Sequence, residues 1–283
     1  MKKVLIFLGG LALMIGMPRQ DVKAQIIDGA YKRTDLPNRK PTPLPYPREA
    51  DVMWHKKVWR IIDLREKINQ PLYFPTKQVQ NRYNLVNLLL EGIKNGKLTA
   101  YDAKSDDEFK VPMTYEQVKE AFGATTRTIK VRNVDTGELV DKPVSGEIRP
   151  EEVKQIMIKE EWYFDKQNST MNVRVIGICP IQEFYRDDDV NQEMVQRRQI
   201  FWIYYPEARD LLASNEVSNP GKTHDQSFDD VFLKRKFNSY IVKEENIYNN
   251  RNITDYLSGK DAMKESQRIE NSIFTFEQNL WEY

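Results

Sequence analysis

Apolar and polar residues recur along this chain with different periods, and each period predicts an element. Lys2 and Lys3 precede an apolar run from Val4 to Met17, and Val22-Lys23-Ala24 then offers a branched and a small residue at the −3 and −1 positions. That pattern predicts a secretory signal peptide cleaved after Ala24, because the run falls short of the about 20 residues a helix needs to span a bilayer. Residues 25–50 carry Pro37, Pro41, Pro43, Pro45 and Pro47 between basic residues. Proline fixes φ and removes a donor, so this stretch reads as an extended arm. It is either a disordered leader or a strap that docks on a neighbour at low entropic cost.

From Asp51 the texture changes. Trp54, Val58, Ile61, Ile62 and Ile68 recur at helical spacing, and Asp51 can cap a helix running to about Ile68. Val52 and Trp59 lie off that stripe, so the helix is expected to be deeply buried or to meet a partner on a second side. A second helix is expected from Val79 to Lys94, with Val86, Leu89, Leu90 and Ile93 inward and a stop at Asn95-Gly96. Leu98 to Tyr101 reads as a short strand. Thr114 and Gln117 form a capping-box signature for a helix to about Phe122. Thr125–Val134 and Glu138–Val144 read as strands joined by Asp135-Thr136-Gly137.

Pro150 opens an expected short helix to about Ile158. Trp162-Tyr163-Phe164 and Met171–Ile181 flank a turn at residues 167–169 and predict a β-hairpin, weighted by Val173, Val175, Ile176 and Ile178. Gln199–Tyr205 is an aromatic strand, and Pro206 opens a helix through Leu212. A polar loop over 214–227, a helix over Asp229–Arg235 and a strand over Ser239–Val242 follow. The last element is a helix from Asp261 to Leu280 striped by Ile269, Ile273, Phe276 and Leu280. Helices and strands mix without βαβ alternation, which predicts an α+β fold with mainly antiparallel strands and a Pro-rich extended N-terminal arm. Residues 51–283 are expected to form the globular region, either undivided or split into two lobes near residue 146, where Gly146–Pro150 resembles a linker.

Composition narrows the chemistry. The 283 residues carry 43 Lys+Arg, 42 Asp+Glu and 2 His, with formal net charge +1. No basic field exists to hold nucleic acid. Cys179 is the single cysteine, which excludes an intrachain disulfide and any multi-Cys metal site. It lies in an apolar strand and is expected to be a small core residue. Nor does a cysteine stand near the cleavage site, so the leader is not of lipoprotein type. The mature chain is expected to be soluble outside the cytoplasm, with membrane contact only through partners, and to hold its fold by core burial.

Several motifs tempt and fail. Gly221-Lys222-Thr223 ends like a phosphate-binding loop, but Glu216 stands where its first glycine belongs and Pro220 removes an amide. Asp187, Asp189 and Asn191 follow the rhythm of a calcium loop, yet Gln192 replaces its glycine and Arg198 its bidentate acid. Glu160-Glu161 and Asp229-Asp230 are adjacent carboxylates, and neighbours on a strand face opposite ways. His55 stands among Trp54, Lys56 and Lys57 and is expected to be solvated or to face a partner. No catalytic residue, metal ligand or cofactor is expected.

Several blocks, taken in order, resemble the gliding-motility protein family GldN/PorN. They are Asp51–Pro75 (DVMWHKKVWRIIDLREKINQPLYFP), Gly96–Asp102 (GKLTAYD), Glu161–Lys166 (EWYFDK) with Met171–Ile178 (MNVRVIGI), Phe201–Arg209 (FWIYYPEAR) and Phe228–Phe232 (FDDVF). The resemblance implies a periplasmic component of the type IX secretion system, structural and transmissive rather than catalytic. It implies self-association in a ring with a GldK/PorK-type outer-membrane lipoprotein, contacted by the periplasmic domain of a GldM/PorM-type inner-membrane protein. Pro43 and Pro45 of the arm and Trp54 and Trp59 of the expected helix are the candidate partner-binding residues. Two other functions compete. An exported glycan hydrolase requires two facing acids in a cleft, and a carbohydrate- or peptide-binding module requires Trp202 and Tyr204 exposed along a groove.

Overall fold

The computed structural model describes residues 38–79, 82–104, 107–124, 127–132, 139–144, 146–185, 194–217 and 226–280. The expected leader, the first part of the expected arm, Gly221-Lys222-Thr223 and the Asp187–Asn191 stretch lie outside these residues. The described residues all fall within one unit, Asp35–Tyr283.

Among the described residues ten strands appear: β1 (Val52–Asp63), β2 (Ala100–Asp102), β3 (Pro112–Met113), β4 (Arg127–Arg132), β5 (Leu139–Val144), β6 (Val153–Asp165), β7 (Thr170–Phe184), β8 (Gln196–Gln199), β9 (Phe201–Tyr204) and β10 (Tyr240–Glu244). The helices are α1 (Gln70–Tyr73), α2 (Leu85–Lys94), α3 (Tyr115–Ala121), α4 (Tyr205–Ala213), α5 (Phe228–Leu233) and α6 (Gly259–Asn279). Seven strands run β10-β1-β6-β7-β9-β2-β3 across one antiparallel sheet, β8 pairs with the end of β7, and β4-β5 form a separate hairpin. The α+β expectation holds. Strands from both sides of residue 146 share the sheet, since β1 pairs with β6 from Val52–Asp165 to Asp63–Gln155.

Two expected helices are strands. Residues 52–63 form β1, not a helix from Asp51 to Ile68, and residues 153–165 form β6, preceded only by a 3-10 turn at Pro150–Glu152. The physical reason is burial on both faces. Val58 and Ile62 pack on one side of the sheet and Trp59 on the other. A strand apolar on both faces loses its alternation, and periodicity alone cannot separate it from a helix. The β-branched and aromatic weight of Val52, Trp54, Val58, Trp59, Ile61 and Ile62 was the discriminating signal.

Local signals fared better. Thr114 and Gln117 make the reciprocal capping box of α3. The helix expected from Val79 begins at Leu85, where the Asn84 side chain caps it by accepting from the Asn87 N–H at 2.6 Å. It stops at Asn95-Gly96, Gly96 taking the left-handed φ of 67° that a helix C-terminus favours. The hairpin, the aromatic strand, the Pro206 helix and the last helix all form where expected, with ends shifted by a few residues.

The sheet has two unlike faces. On one, Ile62, Ile156, Ile158, Ile178 and Ile203 pack with residues of α2, α4 and α5 in the main core. Beside them Val58 and Ile241 take Ile269 and Ile273 of α6. The opposite face gathers Trp59, Met157, Cys179, Ile181 and Trp202 under Phe109 from the connection between β2 and β3. No helix contributes to that cluster among the described residues.

Candidate functional site

The arm is fixed to the body by side chains that capture its carbonyls. Arg209 of α4 donates from Nη2 to the Thr42 carbonyl at 2.6 Å, and Arg174 of β7 donates to the Pro45 carbonyl. Arg39 pairs with Asp230 at 2.9 Å. This capture suits a proline-rich segment, which keeps its acceptors while losing its donors. Pro43 and Pro45 themselves are exposed, as is Tyr46.

Behind the clasp lies a buried polar triad. Tyr205 donates to Asp229 Oδ1 at 2.6 Å, and Arg209 meets the same carboxylate through Nε at 3.1 Å and Nη2 at 3.0 Å. Burial and the hydrogen bond to Asp229 push the Tyr205 hydroxyl pKa well up. Burial pulls the Arg209 pKa down, but the bidentate bond to Asp229 outweighs it and holds the guanidinium more firmly charged. Asp230 points the other way, to Lys234 at 3.2 Å and to Arg39, and caps α5 through Ser227. Burial raises its pKa, yet the Ser227 hydrogen bonds and the two cations bring it below the usual carboxylate range. The adjacent acids of the sequence therefore have separate tasks: one orients the arginine that holds the arm, the other pairs with the arm itself.

The tryptophans divide. Trp54 is half-buried and stacks on Phe276 of α6, centroids 4.6 Å apart. Trp59 is 2% exposed and sits on the helix-free face beneath Lys243 and Lys159, whose ammonium groups lie 4.2 Å and 5.3 Å from its ring. Trp54 and Trp59, expected on one helix that is deeply buried or meets a partner on a second side, thus stand on opposite faces of a strand, and Trp59 is a core side chain in the isolated chain. His55 is more than half exposed, 3.5 Å from Glu161.

The other sequence candidates also have places. Glu160 is completely buried among Arg235, Arg60 and the Trp162 indole, while Glu161 faces the other way. Trp202 is 1% exposed and Tyr204 41%. The groove reading needs both on the surface, and Trp202 is in the core. Cys179 is fully buried, and burial pushes its thiol pKa far up. The arm-clasping Arg174 and Arg209 and the aromatic Phe109 were not singled out by sequence. Arg209 could have been noticed as a cation on the buried side of a helix opened by Pro206.

In this region arm carbonyls are captured within the chain, Trp54 is half-buried against Phe276, and Asp229, Asp230 and Glu160 each meet a cation. The chain belongs to the gliding motility associated protein GldN family, whose family model matches residues 47–282. It is accordingly a component of the gliding motility and type IX secretion machinery, and the family is not one of known enzymes. A search among curated proteins returns no significant match. No helix among the described residues is long and apolar enough to cross a membrane.

Proposed function

We propose that this chain is a periplasmic structural subunit of the type IX secretion machinery that assembles in a ring with a GldK/PorK-type outer-membrane lipoprotein and is contacted by a GldM/PorM-type inner-membrane protein. The observation that carries the reading is the family match over residues 47–282. The leader over 1–24 exports the chain, and the lipoprotein supplies its membrane attachment. A ring needs two different self-contact surfaces of head-to-tail type. Pro43 and Pro45 offer one, on an arm whose carbonyl clasp leaves their rings outward. Trp54 on Phe276 offers another, and Trp59 supports it from the far side of β1.

Co-purification from outer-membrane fractions tests the reading. The chain is expected in those fractions with the lipoprotein present and in the soluble periplasm without it. A chain found free and monomeric in the presence of the lipoprotein would overturn it.

A further inference from the structure

The helix-free face carries one continuous cross-strand row. Lys243 pairs with Trp59, Trp59 with Lys159, Lys159 with Gly177 and Gly177 with Tyr204, spanning five strands. The connection between β2 and β3 folds back over this row. Its Asp107 places one carboxylate oxygen 3.0 Å from Lys243 Nζ and the other 3.5 Å from Lys159 Nζ, and its carbonyl accepts from Lys159 at 2.7 Å. Two residues on, the Phe109 ring lies over Gly177, where a Cβ would come within 2.5 Å of its tip. The ring meets Tyr101, Trp202 and Tyr204 edge-on at 5.6, 6.0 and 5.6 Å. The absence of a side chain at Gly177 thus makes room for the Phe109 ring on the sheet surface, and the lysine pair beside it holds the Asp107 carboxylate.

Two further features mark this site. Phe109 holds a left-handed backbone, φ 58°, which is unfavourable for a residue with a Cβ. Trp59 and Trp202, both almost completely buried in the floor, keep indole N–H groups with no acceptor among the described residues. A buried donor without a partner is costly, and an extended peptide brings the carbonyls that such donors lack.

We propose that this row is a recognition slot for a partner polypeptide segment bearing a carboxylate and, two residues later, an aromatic ring, and that Asp107 and Phe109 are its resident, displaceable occupants. The chemistry of the occupant is read from what the slot already holds: a carboxylate between two ammonium groups and an aromatic edge in a glycine notch. The slot lies on the opposite face of the sheet from Trp54 and works whether or not the chain forms a ring.

Trp59 makes the slot self-reporting. Acetyl-Asp-Glu-Phe-amide is titrated into the full chain and followed by tryptophan fluorescence, with acetyl-Ala-Glu-Ala-amide as control. Phe109→Ala vacates the notch and is expected to bind the first peptide at least about tenfold more tightly than the native chain, because an occupied site reduces apparent affinity by its vacant fraction. Adding Lys243→Met is expected to abolish that gain. A folded Phe109→Ala chain that does not respond, responds equally to the control peptide, or is indifferent to Lys243→Met overturns the proposal. Should Phe109→Ala fail to fold, Asp107→Asn frees the lysine pair alone. Tighter peptide binding than native then supports the slot, and unchanged binding overturns it.

Discussion

Arg235 closes on Glu160 with two hydrogen bonds, from Nη1 at 2.7 Å and from Nη2 at 3.3 Å. Glu160 is 0% exposed, lies in the middle of β6 and also faces Arg60 at 3.4 Å. Arg235 follows α5 in a left-handed conformation, φ 49°, and Arg60 reaches on to Glu270 of α6 at 3.0 Å. One buried carboxylate thus ties the central sheet to two helices. Removing a partner from such a group leaves charge without solvent, the expensive outcome for buried ion pairs.

Arg235→Ala is therefore expected to destabilise the fold by about 3 kcal/mol, moderated by the remaining Arg60. Denaturant unfolding of the purified chain measures it. A loss below about 1 kcal/mol, the scale of a surface pair, would show that Glu160 does not depend on Arg235.

Trp59→Asp is expected to remove soluble protein altogether. It deletes a core ring and buries a carboxylate, a change of about 4 kcal/mol or more. The adjacent lysines cannot follow the shorter side chain without leaving Asp107. Recovery of a folded, soluble variant at native yield would place Trp59 outside the core.

Trp54→Ala removes the stack on Phe276 from a half-buried position. A cost of about 1 kcal/mol and a folded chain are expected. Under the scaffold reading, recovery with outer-membrane fractions falls while the circular dichroism spectrum is kept. Unchanged recovery would remove Trp54 from the contact surface.

Acid should release the connection over the helix-free face. Burial raises the Asp107 pKa, but Lys159 and Lys243 outweigh it and set it below its ordinary value. The unfolded chain then takes up protons before the folded one. The stabilisation is complete above about pH 4 and is lost as pH falls through the lower, folded-state value. Tryptophan fluorescence is expected to change in that window, and Asp107→Asn should abolish the change. A transition unaffected by the substitution would assign it to another acid, such as Asp230, whose pKa is also lowered.

Gly177→Ala brings a methyl to within 2.5 Å of the Phe109 ring. The ring must tilt away, so faster proteolysis within residues 107–111 is expected with the core intact. Cleavage at the native rate would show that the ring yields without loosening its backbone.

What the sequence determined by itself is local. The capping box at Thr114, the stop at Asn95-Gly96, the β6–β7 hairpin and the core placement of Cys179 depend on residues within a few positions or on hydrophobicity alone. The resemblance in ordered blocks likewise needed only the string of residues. Tertiary structure decided what depends on pairing between distant segments. Whether 52–63 is helix or strand was settled by β6 and β10 on either side, because a segment buried on both faces keeps no period to read. The arm clasp joins Thr42 to Arg209, and the lysine–glycine row unites positions 59, 159, 177, 204 and 243. No spacing in the sequence announces such a row, since sheet register brings its members together.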